Sequence, residues 1–349
     1  MIPEACSQQE LQSIGKDNAE IFAELNSKNI FVSGATGLIG STLIKAIVTN
    51  APSAKIIAFV RDECKAKKVF QNYEQNITFV TGDIREPVVF DGHVDYVIHA
   101  ASETSSKAFV EAPVSIIDIA LNGTKNMLDF AKQKNVQGFV YLSSMEVYGT
   151  PHNDDKIFED HDTDLDTMNV RTSYPESKRL CESLCTAYAS QFQVPAKVVR
   201  LTQTFGPGVQ YNDGRVFAEF SRCVIENRDI VLHTKGETKR SYLYTLDAAS
   251  AILTVLTKGK PAEAYNAANE ATYCSIYEMA QMVAQKIAQG KIRVKVEEAD
   301  ISKFGYAKTL HMNLDTTKLK ELGWQTRTNL SDMFSKTIQS MQGYASTQN

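Results

Sequence analysis

Gly34-x-x-Gly37-x-x-Gly40 is the feature that most narrows what this chain can fold into. It stands between Asn29-Ile-Phe-Val-Ser33, a short apolar run of β type, and a helix-period stretch reaching Val48. Glycines at such a junction permit a tight turn and close backbone approach. The helix start beyond them offers unpaired N–H groups to a phosphate. Further strand-like runs follow at 55–60, 77–80, 95–100, 138–143 and 196–201, with a helix expected over 114–134. They are apolar throughout instead of at every second residue, which predicts a parallel sheet covered on both faces. The expected fold is therefore α/β, a Rossmann-type doubly wound sheet with a dinucleotide on the glycine turn.

Beyond residue 202 the rhythm breaks into turns at Gly206-Pro-Gly208, Asn212-Asp-Gly214 and Lys235-Gly236, with helices expected near 216–227 and 275–289. The reading is a helical extension over 1–28, a dinucleotide domain over 29–204 plus 241–262, and a smaller lobe over 205–240 plus 263–349. The extension shows apolar positions Leu11, Ile14, Ile21, Phe22 and Leu25 for packing on the body. With 349 residues the chain can bury a sizeable core. A net charge of −4 supplies no basic stripe for nucleic acid. No apolar run suits a membrane span, and the first residues lack a signal-peptide pattern. The six cysteines show no metal-ligand spacing, so a reducing cytoplasm without a metal is expected.

Tyr174-Pro-Glu-Ser-Lys178 places a phenol and an ammonium four apart at a helix start, on one face. A phenol titrating near ~10 is a poor base at neutral pH, and a nearby cation lowers that value. The pair is what oxidation of a hydroxyl to a ketone needs. On the dinucleotide side, the second strand ends Arg61-Asp62. Arg61 favours the 2′-phosphate of NADP over NAD; alternatively it stacks on adenine while Asp62 takes the ribose. Asp83, after the third strand, is a candidate acceptor for the adenine amine.

Together these pieces resemble the extended short-chain dehydrogenase/reductase family: nucleotide-sugar epimerases, dehydratases and decarboxylases. The resemblance runs in order over about 29–325. It rests on the glycine turn, Gly82-Asp-Ile84, His99-Ala-Ala101, Asn122-Gly-Thr124, Ser143-Ser-Met-Glu-Val-Tyr-Gly149 and the Tyr174/Lys178 tetrad. It continues through Arg200-Leu-Thr-Gln-Thr-Phe-Gly-Pro207, Asn212-Asp-Gly-Arg-Val216 and Arg240-Ser-Tyr-Leu-Tyr-Thr-Leu-Asp247. It implies a tightly bound NAD or NADP held by Gly34, Thr36, Gly37, Leu38, Ile39 and Gly40. Ile84, Ala100, Ala101, Ser102 and Asn122 would line the same cleft, and the C-terminal lobe would hold a nucleotide diphosphate sugar. Tyr174 would deprotonate the sugar O4, Lys178 would hold the nicotinamide ribose and lower the Tyr174 pKa, and Ser144 would bond the same oxygen.

Three positions bear on the later chemistry. Glu146 matches a glutamate that abstracts the C5 proton, with a carboxylate bonded to loop backbone as the bland alternative. Met145 stands where 4,6-dehydratases carry a proton-donating aspartate, and Gln203 replaces an asparagine that contacts the sugar or its diphosphate. Arg215 and Arg240 suit diphosphate or base. The 212–216 stretch looks most like UDP-glucuronate decarboxylases, whose late carboxylate-binding arginine has only Lys308 or His311 as substitutes. Tyr242 and Tyr244 either stack on the base or fill their strand. Glu103 reads a sugar hydroxyl or faces solvent, and His99 is a satisfied strand-end histidine. The acidic residues over 154–166 suggest a solvated lid. The expected function is epimerisation or dehydration through transient C4 oxidation. Its rivals are a decarboxylase, an NADPH-consuming keto-sugar reductase and a non-catalytic dinucleotide sensor. The resemblance also implies a homodimer joined by helices near 108–132 and 174–192.

Overall fold

The computed structural model describes residues 6–105, 108–298 and 309–345. Seven parallel strands form the central sheet: β1 (Asn29–Ser33), β2 (Lys55–Val60), β3 (Ile77–Thr81), β4 (Tyr96–His99), β5 (Gly138–Ser144), β6 (Ala196–Leu201) and β10 (Ala264–Ala267). Their spatial order is β10-β6-β5-β4-β1-β2-β3. The order reverses beside β1, so a crevice opens above the carboxyl ends of β1 and β4, the ordinary place for a dinucleotide. The register sets Ser33 beside Phe59 on one side and His99 on the other.

Continuous apolar strands follow from burial on both faces. Ile30 and Val32 of β1 pack with Leu43, Ile44 and Ile47 of α3 (Leu38–Asn50) and with α9 (Thr245–Lys258). Phe31 points the other way, into a cluster with Met127 and Phe130 of α6 (Pro113–Lys134) and Tyr188 of α7 (Ser173–Phe192). The seventh strand is a correction to the six expected. Ala264–Ala267 lies within the segment assigned by sequence to the smaller lobe, yet pairs with β6 from Ala264↔Val198 to Ala267↔Leu201. At four residues it carries too little periodicity to be told from a loop.

The remaining strands lie outside this sheet. β7 (Gln203–Phe205), β11 (Asn269–Ser275) and β13 (His311–Met312) all gather on β9 (Lys239–Tyr244). β8 (Ile230–Leu232) pairs with β12 (Val294–Val296). The lead-in forms α1 (Gln8–Asp17) and α2 (Ala19–Leu25), with Leu11, Ile14, Ile21, Phe22 and Leu25 all buried. Ser7 and Glu10 make a reciprocal cap on α1. The Glu10 carboxylate then accepts a 2.7 Å bond from Tyr244 and pairs with Lys336 at 2.8 Å.

Candidate active site

At the dinucleotide end the backbone makes the surface. Gly34 has φ +69°, and a Cβ there would lie 2.6 Å from the Ala100 carbonyl and the Ala101 nitrogen. A Cβ on Gly40 would lie 2.3 Å from the Gly34 oxygen. Gly37 precedes α3 and no side chain among the described residues caps that helix, which leaves the N–H groups of Leu38, Ile39 and Gly40 without a capping partner there. Thr36 lies in the same turn, partly exposed. A cradle with room for backbone only, ending in bare amides, fits a pyrophosphate.

Across the switch point, Ala100, Ala101 and Ser102 follow β4. Ala100 N donates to Ser33 O at 3.2 Å, and Ala101 N to Ser33 Oγ at 3.3 Å. His99 is a strut, as its bland reading had it: Nδ1 lies 2.7 Å from Ser33 Oγ and Nε2 3.2 Å from Thr124 Oγ1. Burial, with Lys178 nearby, pushes its pKa down to about 3, so the imidazole is neutral.

The adenosine end is polar and open. Arg61 is exposed, while Asp62 uses its carboxylate to cap α4 (Glu63–Val69), accepting from Lys65 N at 2.9 Å. Both Asp83 oxygens take Arg85, at 3.0 Å from Nε and 2.6 Å from Nη2, and these bonds hold the carboxyl down to about 2. Arg85 also faces Asp118 at 3.8 Å, and Asp118 accepts from Asn122 on the exposed side of α6. Asp83, Arg85, Asp118 and Asn122 thus form one polar chain. Ile84 is buried against Gly123.

At the reaction end side chains take over. The strand β5 delivers Ser144, and a 3-10 turn over Met145–Tyr148 follows. Ser144 lies beside the Tyr174 phenol, and its Oγ accepts from Glu146 N at 3.2 Å. Lys178 is buried, donates to the Leu142 carbonyl at 2.7 Å and lies 5.7 Å from the Tyr174 ring centre. Burial pulls its pKa down to about 8. The expected lowering of the Tyr174 pKa by Lys178 is not what this geometry gives. Burial pushes the phenol up, the Glu146 carboxylate adds to that, and Ser144, Arg171 and Arg215 oppose it. Lys178 has its ammonium on a carbonyl instead.

The Glu146 carboxylate pairs with Arg171 at 3.0 Å, so the backbone-bonded alternative fails. Met145 is buried among Val147, Tyr148, Leu310 and Met312, and its sulfur accepts from Thr202 Oγ1 at 3.3 Å. Gln203 and Arg240 are brought together, Nη1 donating to Oε1 at 3.2 Å, while Arg240 Nε is buried with no partner among the described residues. Arg215 is clamped by Asp213, Nε at 3.0 Å and Nη2 at 2.5 Å. Glu103 turns back on its own loop, accepting from Thr104 N and Ser105 N at 3.0 and 2.9 Å.

Other expectations change. Tyr242 and Tyr244 fill their strand, both buried, and Tyr244 bonds Glu10 of the N-terminal extension. His311 faces Asp154 at 3.1 Å, alongside Lys239 and Tyr273, and Lys308 lies outside the described residues. The acidic segment is not a solvated lid throughout. Asp154 is tied as just described, Glu159 accepts from Asn266 N at 2.8 Å, and Asp164 accepts from Thr150 N at 2.7 Å.

Sequence reasoning missed the frame beneath the site. Glu182 accepts Ser143 Oγ at 2.5 Å and pairs with Arg200 at 2.7 Å; Arg200 donates to the Tyr148 hydroxyl at 2.8 Å. A usable signal existed: Glu182 is one helical turn past Lys178, and Arg200 interrupts an apolar strand. Phe109 was also missed. Its ring stacks on Tyr174 at 4.2 Å and 11°.

The sequence profile of the NAD dependent epimerase/dehydratase family matches residues 30–268. The chain belongs to that family. It is 28% identical over 323 residues to the human dTDP-D-glucose 4,6-dehydratase, covering 90% of this chain and 89% of that one. It is 26% identical over 273 residues to UDP-glucuronic acid decarboxylase 1 of Xenopus tropicalis, covering 78% and 63%. The dTDP-glucose 4,6-dehydratase of Streptomyces venezuelae, crystallised with NAD, superimposes with a TM-score of 0.75 at 18% identity, over 91% of this chain and 98% of that one. Membership makes the family's NAD-type dinucleotide the group that the glycine cradle fits.

Proposed function

We propose that this enzyme epimerises or dehydrates a nucleotide diphosphate sugar by transient oxidation at C4. One observation carries the reading: Ser144, Tyr174, Lys178 and Glu146 converge at the carboxyl end of β5, on the crevice that the glycine cradle opens. A bound nicotinamide supplies a hydride acceptor that returns the hydride later. Tyr174 takes the O4 proton while Ser144 holds the same oxygen. Lys178 keeps a buried cation at the floor, where a ribose hydroxyl and the developing phenolate compete for it. Glu146 then takes the C5 proton that the 4-ketone acidifies. Gln203, Arg215 and Arg240 receive the diphosphate and nucleotide, and the unpartnered Arg240 Nε is a donor suited to a phosphate oxygen.

Met145 supports a second reading. It has no proton for a departing C6 hydroxyl, which favours a decarboxylase-like course over plain 4,6-dehydration. Arg61, exposed while Asp62 is engaged in a cap, supports NADP over NAD. Exposed Val114, Ile117 and Leu180, at 78%, 43% and 47%, support a homodimer through α6 and α7. All six cysteines are free, in keeping with a reducing cytoplasm, and no helix among the described residues is long and apolar enough to cross a membrane.

The test is NMR of products in D2O with UDP-, dTDP-, CDP- and GDP-sugars. Turnover of at least one, with deuterium appearing at C5, is the expected result. Tyr174→Phe should lower turnover by about 10³-fold. No turnover of any sugar with cofactor still bound overturns the enzyme reading, and full activity in Tyr174→Phe overturns the mechanism.

A further inference from the structure

We infer that Arg171 is a positioning residue for Glu146, registered against the catalytic tyrosine through the ring of Phe109. Arg171 stands in a 3-10 turn, Val170–Thr172, immediately before α7. Its Nη2 lies 3.0 Å from Glu146 Oε2. Among the described residues no other side chain bonds that carboxylate, so Arg171 sets which way it points. The guanidinium carbon is 4.9 Å from the centre of the Phe109 ring, and the same ring stacks on Tyr174. Phe109 sits on α5 (Ala108–Glu111), is 2% exposed, and its carbonyl accepts from Ser173 Oγ at 3.2 Å. One flat, fixed ring therefore indexes both the O4 base and the cation that aims the C5 base.

The ion pair alone would be a weak argument. Its side chains are 23% and 29% exposed, and partly solvated pairs contribute little to stability. The informative atom is Arg171 Nε, buried and without a hydrogen-bond partner among the described residues. A buried donor left open costs free energy. Here it lies on the guanidinium that holds Glu146, which points to a substrate oxygen as its missing acceptor. Bound sugar would complete the donor set of Arg171 and lock Glu146 beside C5 in the same event. Misplacing a reacting group by even an ångström slows its step severely.

This inference rests on the reading of Glu146 as the C5 base, so the two steps are measured separately. The full chain with bound cofactor is mixed with dTDP-glucose or UDP-glucuronate in D2O. Absorbance of the reduced nicotinamide follows the first step, and NMR follows deuterium entering C5. Arg171→Gln should slow C5 exchange about 100-fold more than it slows cofactor reduction. Arg171→Lys, which keeps the charge but not the fork, should recover about tenfold of that loss. Equal slowing of both steps in Arg171→Gln, or unchanged C5 exchange, overturns the inference. Cofactor reduction by the native protein with no exchange at C5 removes the Glu146 reading, and this inference with it. Should Arg171→Gln fold poorly, Arg171→Lys decides, since a purely structural role predicts no change in the ratio of the two steps.

Discussion

The two ends of the crevice are made of different materials. At Gly34–Gly40 the surface is backbone, and added carbons on Gly34 and Gly40 would lie 2.6 and 2.3 Å from backbone atoms. At Ser144–Tyr148 it is side chain, held from below by Glu182, Arg200 and Tyr148. The first end has a geometry that calls for glycine at Gly34 and Gly40. At the second, Met145 packs on an apolar bed of Val147, Leu310 and Met312. One end is fixed by backbone geometry, the other by which side chains the turn carries.

This contrast can be broken by experiment. The largest effect should come from Arg200→Leu. Arg200 and Glu182 are 14% and 13% exposed, and removing one partner leaves a buried carboxylate uncompensated. Stability should fall by about 4 kcal/mol in denaturant unfolding. Turnover should fall too, since Tyr148 loses one of its two hydroxyl partners, while dinucleotide affinity stays near that of the native protein. Loss of dinucleotide binding along with turnover would show that the two ends are not separate.

Gly40→Ala should do the reverse at about 2 kcal/mol. The new methyl meets the Gly34 carbonyl, so calorimetric titration with NAD and NADP should show weakened binding, with Glu182 and Arg200 undisturbed. Unchanged affinity would refute a backbone-built cradle.

His99, between the two ends, sharpens the contrast through pH. Its folded pKa is about 3, against about 6.5 in an unfolded chain. Between those values the unfolded chain binds a proton that the native state refuses. Stability should therefore fall as pH drops below about 6.5, by up to about 1.4 kcal/mol per pH unit. Asp247, raised by burial to about 6, acts with the opposite sign, because its native state takes a proton that the unfolded chain releases. Comparing native protein with His99→Gln, which keeps Asp247, isolates the histidine. An equal slope in both would refute the neutral strut.

How much of this was legible follows the same division. The sheet and its cover on both faces were readable because strand apolarity and a glycine turn are backbone statements; the strand order was not. Tyr174 and Lys178 stood out by type and spacing, and Ser144 only through the family resemblance. Their electrostatics were not readable, because burial and the Glu146 carboxylate set the Tyr174 shift, and only the folded chain sends Lys178 Nζ to the Leu142 carbonyl. Arg171 escaped notice because its partner Glu146 is 25 residues earlier, joined through space and not through any period. The choice between base contact and strand filler at Tyr244 stayed open for a similar reason: the residue that claims it, Glu10, is 234 positions away.

That last contact has a consequence for how the chain comes to be folded. Helix α1 has its partners on α3, on Tyr244 and on Lys336, the last of these in α12 (Leu330–Ala345). Leu11 and Ile14 cannot be fully covered while those segments are still unmade. Contacts of such long sequence separation form late and slowly. Helix α1 is therefore a latch that closes late, and until it closes its apolar stripe is an invitation to chaperones.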